Sequence, residues 1–135
     1  MPKQSLLRLI RRWKRYQPRE ERHKVETQTR GVYVLYLQVG QDFLVRYIGV
    51  AGLGKDGGGG VRSRLRTHHR RIKKWSHFSY FEVHENVTRE EIREIEALLL
   101  GIFRHDPRIK LTNKQTGSKK LFQLQKESHW KKVGP

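Results

Sequence analysis

Residues 31–49 read GVYVLYLQVGQDFLVRYIG, and the rest of the chain is organised around them. Residues 32–39 and 43–48 are two apolar runs rich in Val, Leu, Ile, Phe and Tyr, with Gly40-Gln41-Asp42 between them. Runs of this kind on either side of turn-forming residues predict a β-hairpin. Each run sets a tyrosine near a glycine, Tyr33 after Gly31 and Tyr47 before Gly49. Glycine lets another group approach the backbone closely, and tyrosine brings a hydroxyl to that place. The same residues also describe an ordinary hairpin with two aromatic core residues.

Outside the hairpin the chain is strongly basic. Its 135 residues carry 30 Lys and Arg against 13 Asp and Glu, a net charge of +17. Such one-sided charge opposes compaction and points to a polyanionic partner, nucleic acid before membrane. There is no cysteine, which excludes disulfides, Cys-zinc sites and thiol nucleophiles and gives no sign of secretion. No apolar run reaches the ~18 residues of a membrane span. The basic N-terminus has its apolar stretch broken by Arg8, Arg11 and Arg12, which does not suit a signal peptide.

Upstream, residues 5–17 place Leu6, Leu9, Ile10 and Trp13 at helical spacing, with Ser5 to cap and Pro18 to stop. This predicts an amphipathic helix whose other face carries Arg8, Arg11, Arg12, Lys14 and Arg15. Residues 18–30 are polar, lack a period and read as a linker. Downstream, residues 49–60 are glycine-rich and read as a flexible loop. Gly49, Gly54 and Lys55 open a phosphate-loop pattern, but Asp56 stands where Ser or Thr would hold magnesium, so that reading is set aside. Residues 61–75 predict a helix with Val61, Leu65, His68, Ile72 and Trp75 inward. Arg62, Arg64, Arg66, Arg70, Arg71, Lys73 and Lys74 repel one another along it with no acid among them, which phosphate binding would offset. Residues 77–84 predict a third strand, with Phe78, Tyr80 and Glu82 on one face. Thr88-Arg89-Glu90-Glu91 is a capping box opening a helix to about Arg104, with Ile92, Ile95, Leu99, Ile102 and Phe103 on its apolar face. Residues 118–135 read as a basic tail, with one helical turn near Leu121 to Gln125.

Three polar residues sit where chemistry is possible. Glu96 falls within the apolar face of the last helix, and an ionised carboxylate is costly to bury unless a cation or strong donors meet it. An arginine at the helix edge would satisfy it equally well. Arg64 and His68 are four residues apart on one helix, so both can address a single site. Arginine offers a planar, permanently charged fork, and histidine can move a proton near neutral pH. His69 could turn inward in place of His68.

Taken together, these residues resemble the GIY-YIG nuclease superfamily. GVY and YIG stand at Gly31-Val32-Tyr33 and Tyr47-Ile48-Gly49, followed in order by Arg64, His68, Glu96 and Asn113. Val50 follows YIG where that family often has a basic residue, and Lys55 could stand in for it. The loop from residue 49 to Arg64 is longer than the family's usual connection. The resemblance implies an α+β fold: a small three-stranded, mainly antiparallel sheet flanked by helices, preceded by the extra N-terminal basic helix. It divides the chain into residues 1–29 as basic helix and linker, 30–117 as the nuclease-like domain and 118–135 as tail.

The resemblance further implies metal-dependent hydrolysis of phosphodiester bonds, in DNA ahead of RNA. Glu96 would hold one Mg²⁺ or Mn²⁺ ion, a cation that typically takes one or two carboxylates and fills its shell with water and phosphate oxygens. Tyr33 would take the proton of the attacking water, with His68 accepting or orienting it and Tyr47 supporting or sharing the role. Arg64 would meet the developing charge, and Asn113 would orient Glu96 or a backbone phosphate. Arg8, Arg11, Arg12, Lys55, Arg62, Arg66, Arg70, Arg71 and Lys74 would grip the backbone, a contact that positions without reading sequence. The expected setting is cytoplasmic or nucleoid-associated, with no membrane partner. Two alternatives stay open: a non-catalytic nucleic-acid-binding module of the same fold, and a small RNA-associated basic protein.

Overall fold

The computed structural model describes residues 9–52, 60–104, 126–129, 131 and 133. The hairpin forms where the sequence places it. Strand β2 (Gly31–Val39) and strand β3 (Asp42–Ala51) pair antiparallel through a tight turn at Gly40-Gln41. The third expected strand is β4 (His77–Val83), and it pairs antiparallel with β2. A further strand, β1 (Ile10–Pro18), completes a sheet of order β1-β4-β2-β3. The fold is therefore α+β on a four-stranded antiparallel open sheet, with one strand more than the sequence predicts.

That strand replaces the expected N-terminal helix. Ile10–Pro18 runs antiparallel to β4 with two register shifts, and Trp13 lies 56% exposed instead of in an apolar stripe. Two physical terms favour the strand. A helix would hold its arginines three and four residues apart, where like charges repel. The strand covers the open edge of β4, whose backbone groups would otherwise lack partners. It also sets Arg11 and Arg12 beside acids from elsewhere: Arg12 Nη2 donates to Glu82 at 2.6 Å and to Glu26 at 3.0 Å, and Arg11 lies 3.7 Å from Glu82.

The segment read as a linker is also built. Arg19–Lys24 forms a 3-10 turn, with Val25 and Thr29 buried behind it. Arg19 lies over the Trp75 ring at 4.2 Å and donates to the carbonyls of His69 and Trp75 at 2.9 Å and of Lys73 at 3.2 Å. It thereby satisfies carbonyls at and just beyond the C-terminus of helix α1 (Gly60–Arg71), which lack partners within the helix.

The two helices sit on opposite faces of the sheet. Helix α1 packs Val61 and Leu65 against Tyr33, Leu35, Ala51, Phe78 and Val25. Helix α2 (Arg89–Arg104) packs Ile92 and Leu100 against Val32, Val34, Tyr36, Val45, Ile48 and Val83. Odd and even residues of β2 thus serve different cores, as strand alternation requires. The expected capping box opens α2: Glu91 N–H donates to Thr88 Oγ1 at 3.2 Å, and Thr88 N–H donates to the Glu91 carboxylate at 2.9 Å. Ile102, expected on the apolar face, is 57% exposed, and Leu100 is buried in the core. Among the described residues no helix is long and apolar enough to cross a membrane.

Strand β3 carries one irregularity. Leu35 pairs with Tyr47 and Tyr36 with Val45, so Arg46 is an extra residue in β3. Such a bulge breaks the strict alternation of side chains. Phe43 and Val45 face α2, and after the bulge Tyr47 and Ala51 face α1.

Candidate active site

Tyr33, Tyr47 and His68 come together on the α1 face of the sheet. Tyr33 on β2 is 1% exposed, and its Oη shares a hydrogen bond of 2.6 Å with His68 Nε2. The Tyr47 ring stacks 6.0 Å from Tyr33 and lies tilted 4.4 Å from His68, centre to centre. His68 faces inward beside Leu65, and His69 is exposed and accepts a hydrogen bond from Arg19 Nε at 2.9 Å. The structure thus selects His68 from the adjacent pair.

The two glycines of the hairpin admit different neighbours. A Cβ on Gly31 would strike the carbonyl of Phe81 on β4. A Cβ on Gly49 would lie 2.6 Å from Tyr33 Oη, 2.7 Å from Tyr33 Cζ and 2.8 Å from Tyr47 Cε1. Tyr33 and Gly49 are cross-strand partners. The Tyr33 ring therefore passes over Gly49 on its way to His68, through space that any other residue would fill.

Arg64 acts electrostatically on Tyr33 and His68, and Glu96 acts on Tyr33. Burial pushes the Tyr33 hydroxyl far above the ordinary phenol range; Tyr47 and Glu96 add to the shift and Arg64 opposes it. Burial, then Arg64 and Arg71, lower the His68 imidazole to about 4. Glu96 is half-buried, and desolvation raises its carboxyl while Arg93 and Arg64 oppose the shift. At neutral pH the site therefore holds an uncharged phenol bonded to an uncharged imidazole. Arg64, exposed on α1, acts on Tyr33, His68 and Glu96 alike.

No family model, no curated protein and no solved structure matches this chain.

The remaining expected residues separate into groups. Arg8, Lys55 and Asn113 lie outside the described residues, as does the expected helical turn at Leu121 to Gln125. Arg11 and Arg12 stand in the ion pairs with Glu82 and Glu26. Arg70, Arg71 and Lys74 are exposed at the end of α1 and just beyond. Arg62 and Arg66 line a cleft of about 360 Å³ together with Ser63, Arg22, His23 and Thr27. The last three escape a reading of the sequence, because residues 18–30 show neither helical nor strand period and join the cleft only through folding. Among the described residues no three His, Asp or Glu side chains converge as a metal site. Glu96 is a single carboxylate that makes no hydrogen bond or ion pair with any described residue.

Proposed function

We propose that this chain hydrolyses phosphodiester bonds in DNA by a GIY-YIG type of mechanism, with Tyr33 and His68 acting as a proton relay. The observation that carries the reading is the buried 2.6 Å bond between Tyr33 Oη and His68 Nε2. A phenol held this far above its usual range does not stand ionised at neutral pH. The neutral imidazole beside it offers a lone pair. In the tautomer with hydrogen on Nδ1, Tyr33 Oη–H donates to Nε2 and leaves its own lone pair for a water molecule. As the water oxygen attacks phosphorus, its proton passes to Tyr33 Oη and the phenolic proton passes to Nε2. The phosphorus–oxygen bond to the leaving strand breaks in the same displacement. No standing phenolate is required, and the positive charge that reaches His68 forms together with negative charge on the phosphoryl oxygens.

Arg64 supports this displacement by meeting negative charge on the phosphoryl oxygens, a role suited to its planar fork. Tyr47 packs on both relay rings and restrains their orientation. Glu96 fits a divalent cation: its half-buried carboxylate has no protein partner among the described residues and is destabilised by desolvation, which a bound cation would relieve. When bound there, Mg²⁺ or Mn²⁺ would supply Lewis-acid stabilisation of phosphate oxygens.

The test is nicking of supercoiled plasmid with and without Mg²⁺ or Mn²⁺. The wild type is expected to nick only with metal. Tyr33→Phe and Glu96→Ala are each expected to lower the rate by about 10²–10⁴-fold. Equal nicking by all three proteins would remove the site from the mechanism. Plasmid retardation in a gel without nicking would leave the chain as a binding module of this fold.

A further inference from the structure

The cleft between the 3-10 turn and helix α1 is not used by the relay. Its lining is Arg22, His23 and Thr27 from one wall and Arg62, Ser63 and Arg66 from the other. Among the described residues it holds three guanidinium groups, an imidazole and two hydroxyls, and no carboxylate. Of the acids of the neighbouring segment, Glu21 pairs with Lys24 at 2.8 Å, Glu26 pairs with Arg12 at 3.0 Å, and Glu20 acts electrostatically on Arg19. Among the described residues, Arg22, Arg62 and Arg66 have no carboxylate within ion-pair distance. Arg22 is held by its Nη1 donating to the Arg19 carbonyl at 3.2 Å. The positive field extends to the nearby, exposed His69, whose imidazole is lowered by local desolvation and then by Arg22, Arg19 and His23. Cations brought together around a concavity without acids repel one another and call for an anion. The first turn of α1 contributes Arg62 and Ser63, at the end of a helix where the macrodipole also favours negative charge.

The placement of the cleft identifies the anion. Arg62 and Arg66 are four residues apart and share one flank of α1. Arg64 and His68 are offset by two residues and share the other flank, with the helix, about 10–12 Å across, between them. We propose that the cleft is a second phosphate site, gripping a backbone phosphate of the DNA on the side of α1 opposite the relay. This assignment rests on the reading of the chain as a DNA-processing protein. Arginine forks bind phosphate with charge-assisted, often bidentate hydrogen bonds, and Thr27 and Ser63 add donors. Bound DNA then meets α1 along both flanks, so the helix itself sets the distance between the gripped phosphate and the one addressed by Arg64.

The experiment measures binding of a fluorescently labelled duplex by anisotropy in EDTA, over a series of salt concentrations. It compares the wild type, the Arg62→Gln/Arg66→Gln double variant, and Arg15→Gln/Arg89→Gln, which removes equal charge from residues that do not line the cleft. The cleft variant is expected to lose at least about tenfold in affinity, and its salt slope to fall by about 0.9 for one duplex phosphate. The control is expected to lose clearly less. Equal losses in the two variants, or no binding by the wild type, would overturn the proposal. All four arginines are exposed, and a thermal melt of each variant confirms that it folds. Plasmid nicking separates the two readings. Metal-dependent nicking by the wild type, with the cleft variant binding and nicking equally well, sinks the cleft and spares the nuclease. A selective loss of affinity and slope with no nicking by any protein sinks the nuclease and spares the cleft.

Discussion

Strand β1 and helix α1 are both arginine-rich, and the structure uses their charges in opposite ways. In β1, Arg12 meets Glu82 and Glu26, and Arg11 approaches Glu82, so those cations are matched within the fold. In α1, Arg62, Arg64 and Arg66 have no carboxylate at ion-pair distance among the described residues. Composition does not distinguish the two segments. What separates them is whether tertiary structure delivers an acid. An arginine given an acid by the fold contributes to stability, and one left without an acid is available to an external anion.

The largest expected effect tests α1. Arg64→Gln should lower the nicking rate by about 10²–10³-fold and change stability by less than about 0.5 kcal/mol, since the side chain is exposed. Nicking assays paired with urea denaturation check both halves. An unchanged rate would break the contrast from the α1 side. The next effect tests β1. Glu82→Gln removes a buried carboxylate from Arg12 and should destabilise the fold by about 2 kcal/mol without weakening DNA binding. If stability holds and binding is unchanged, the pairing with Glu82 does not decide how the arginines of β1 are used.

The smallest effect concerns the proton that α1 excludes. The folded protein holds His68 near 4, against an ordinary value of 6.5. As pH falls from 6.5 towards 4, the unfolded chain takes up this proton before the folded chain does. Stability is therefore fully present above pH 6.5 and declines towards pH 4. The loss should be about 1–2 kcal/mol after allowance for solvent screening. Denaturation at pH 7, 6 and 5, set against the same series for His68→Asn, isolates it from the carboxylates. Parallel curves for the two proteins would show that α1 does not hold His68 neutral.

Much of the fold can be read locally. The hairpin, the capping box at Thr88 and the inward Val61, Leu65 and His68 of α1 follow from turn chemistry, capping and periodicity and stand where those signals place them. The helix ends at Arg71, however, so Ile72 and Trp75 lie beyond it and not on its stripe. The spacing of Arg64 and His68 places both on one side of α1, where Arg64 acts electrostatically on His68. Strand β1 is different, because its apolar spacing fits a helix and the terms that overturn this come from β4, Glu26 and Glu82, distant in sequence. Residues 18–30 carry no period, so the Arg19 cap and the cleft wall emerge only with α1 in place. Ile102 and Leu100 differ by a modest rotation of α2, which the β3 contact sets and periodicity does not resolve.

The bulge at Arg46 means that β3 is counted in two independent halves. From the turn to Val45 the strand keeps one phase, and from Tyr47 onward it keeps the other. Arg46 is the spacer between them. Its deletion would straighten the strand and leave Tyr47 paired with Leu35, on the side that faces His68. Deletion of Ile48, two positions further on, would carry Gly49 to the wrong side and place a side chain in the path of Tyr33. The space Tyr33 needs over Gly49 therefore survives one deletion and is lost with another two positions further along the same strand.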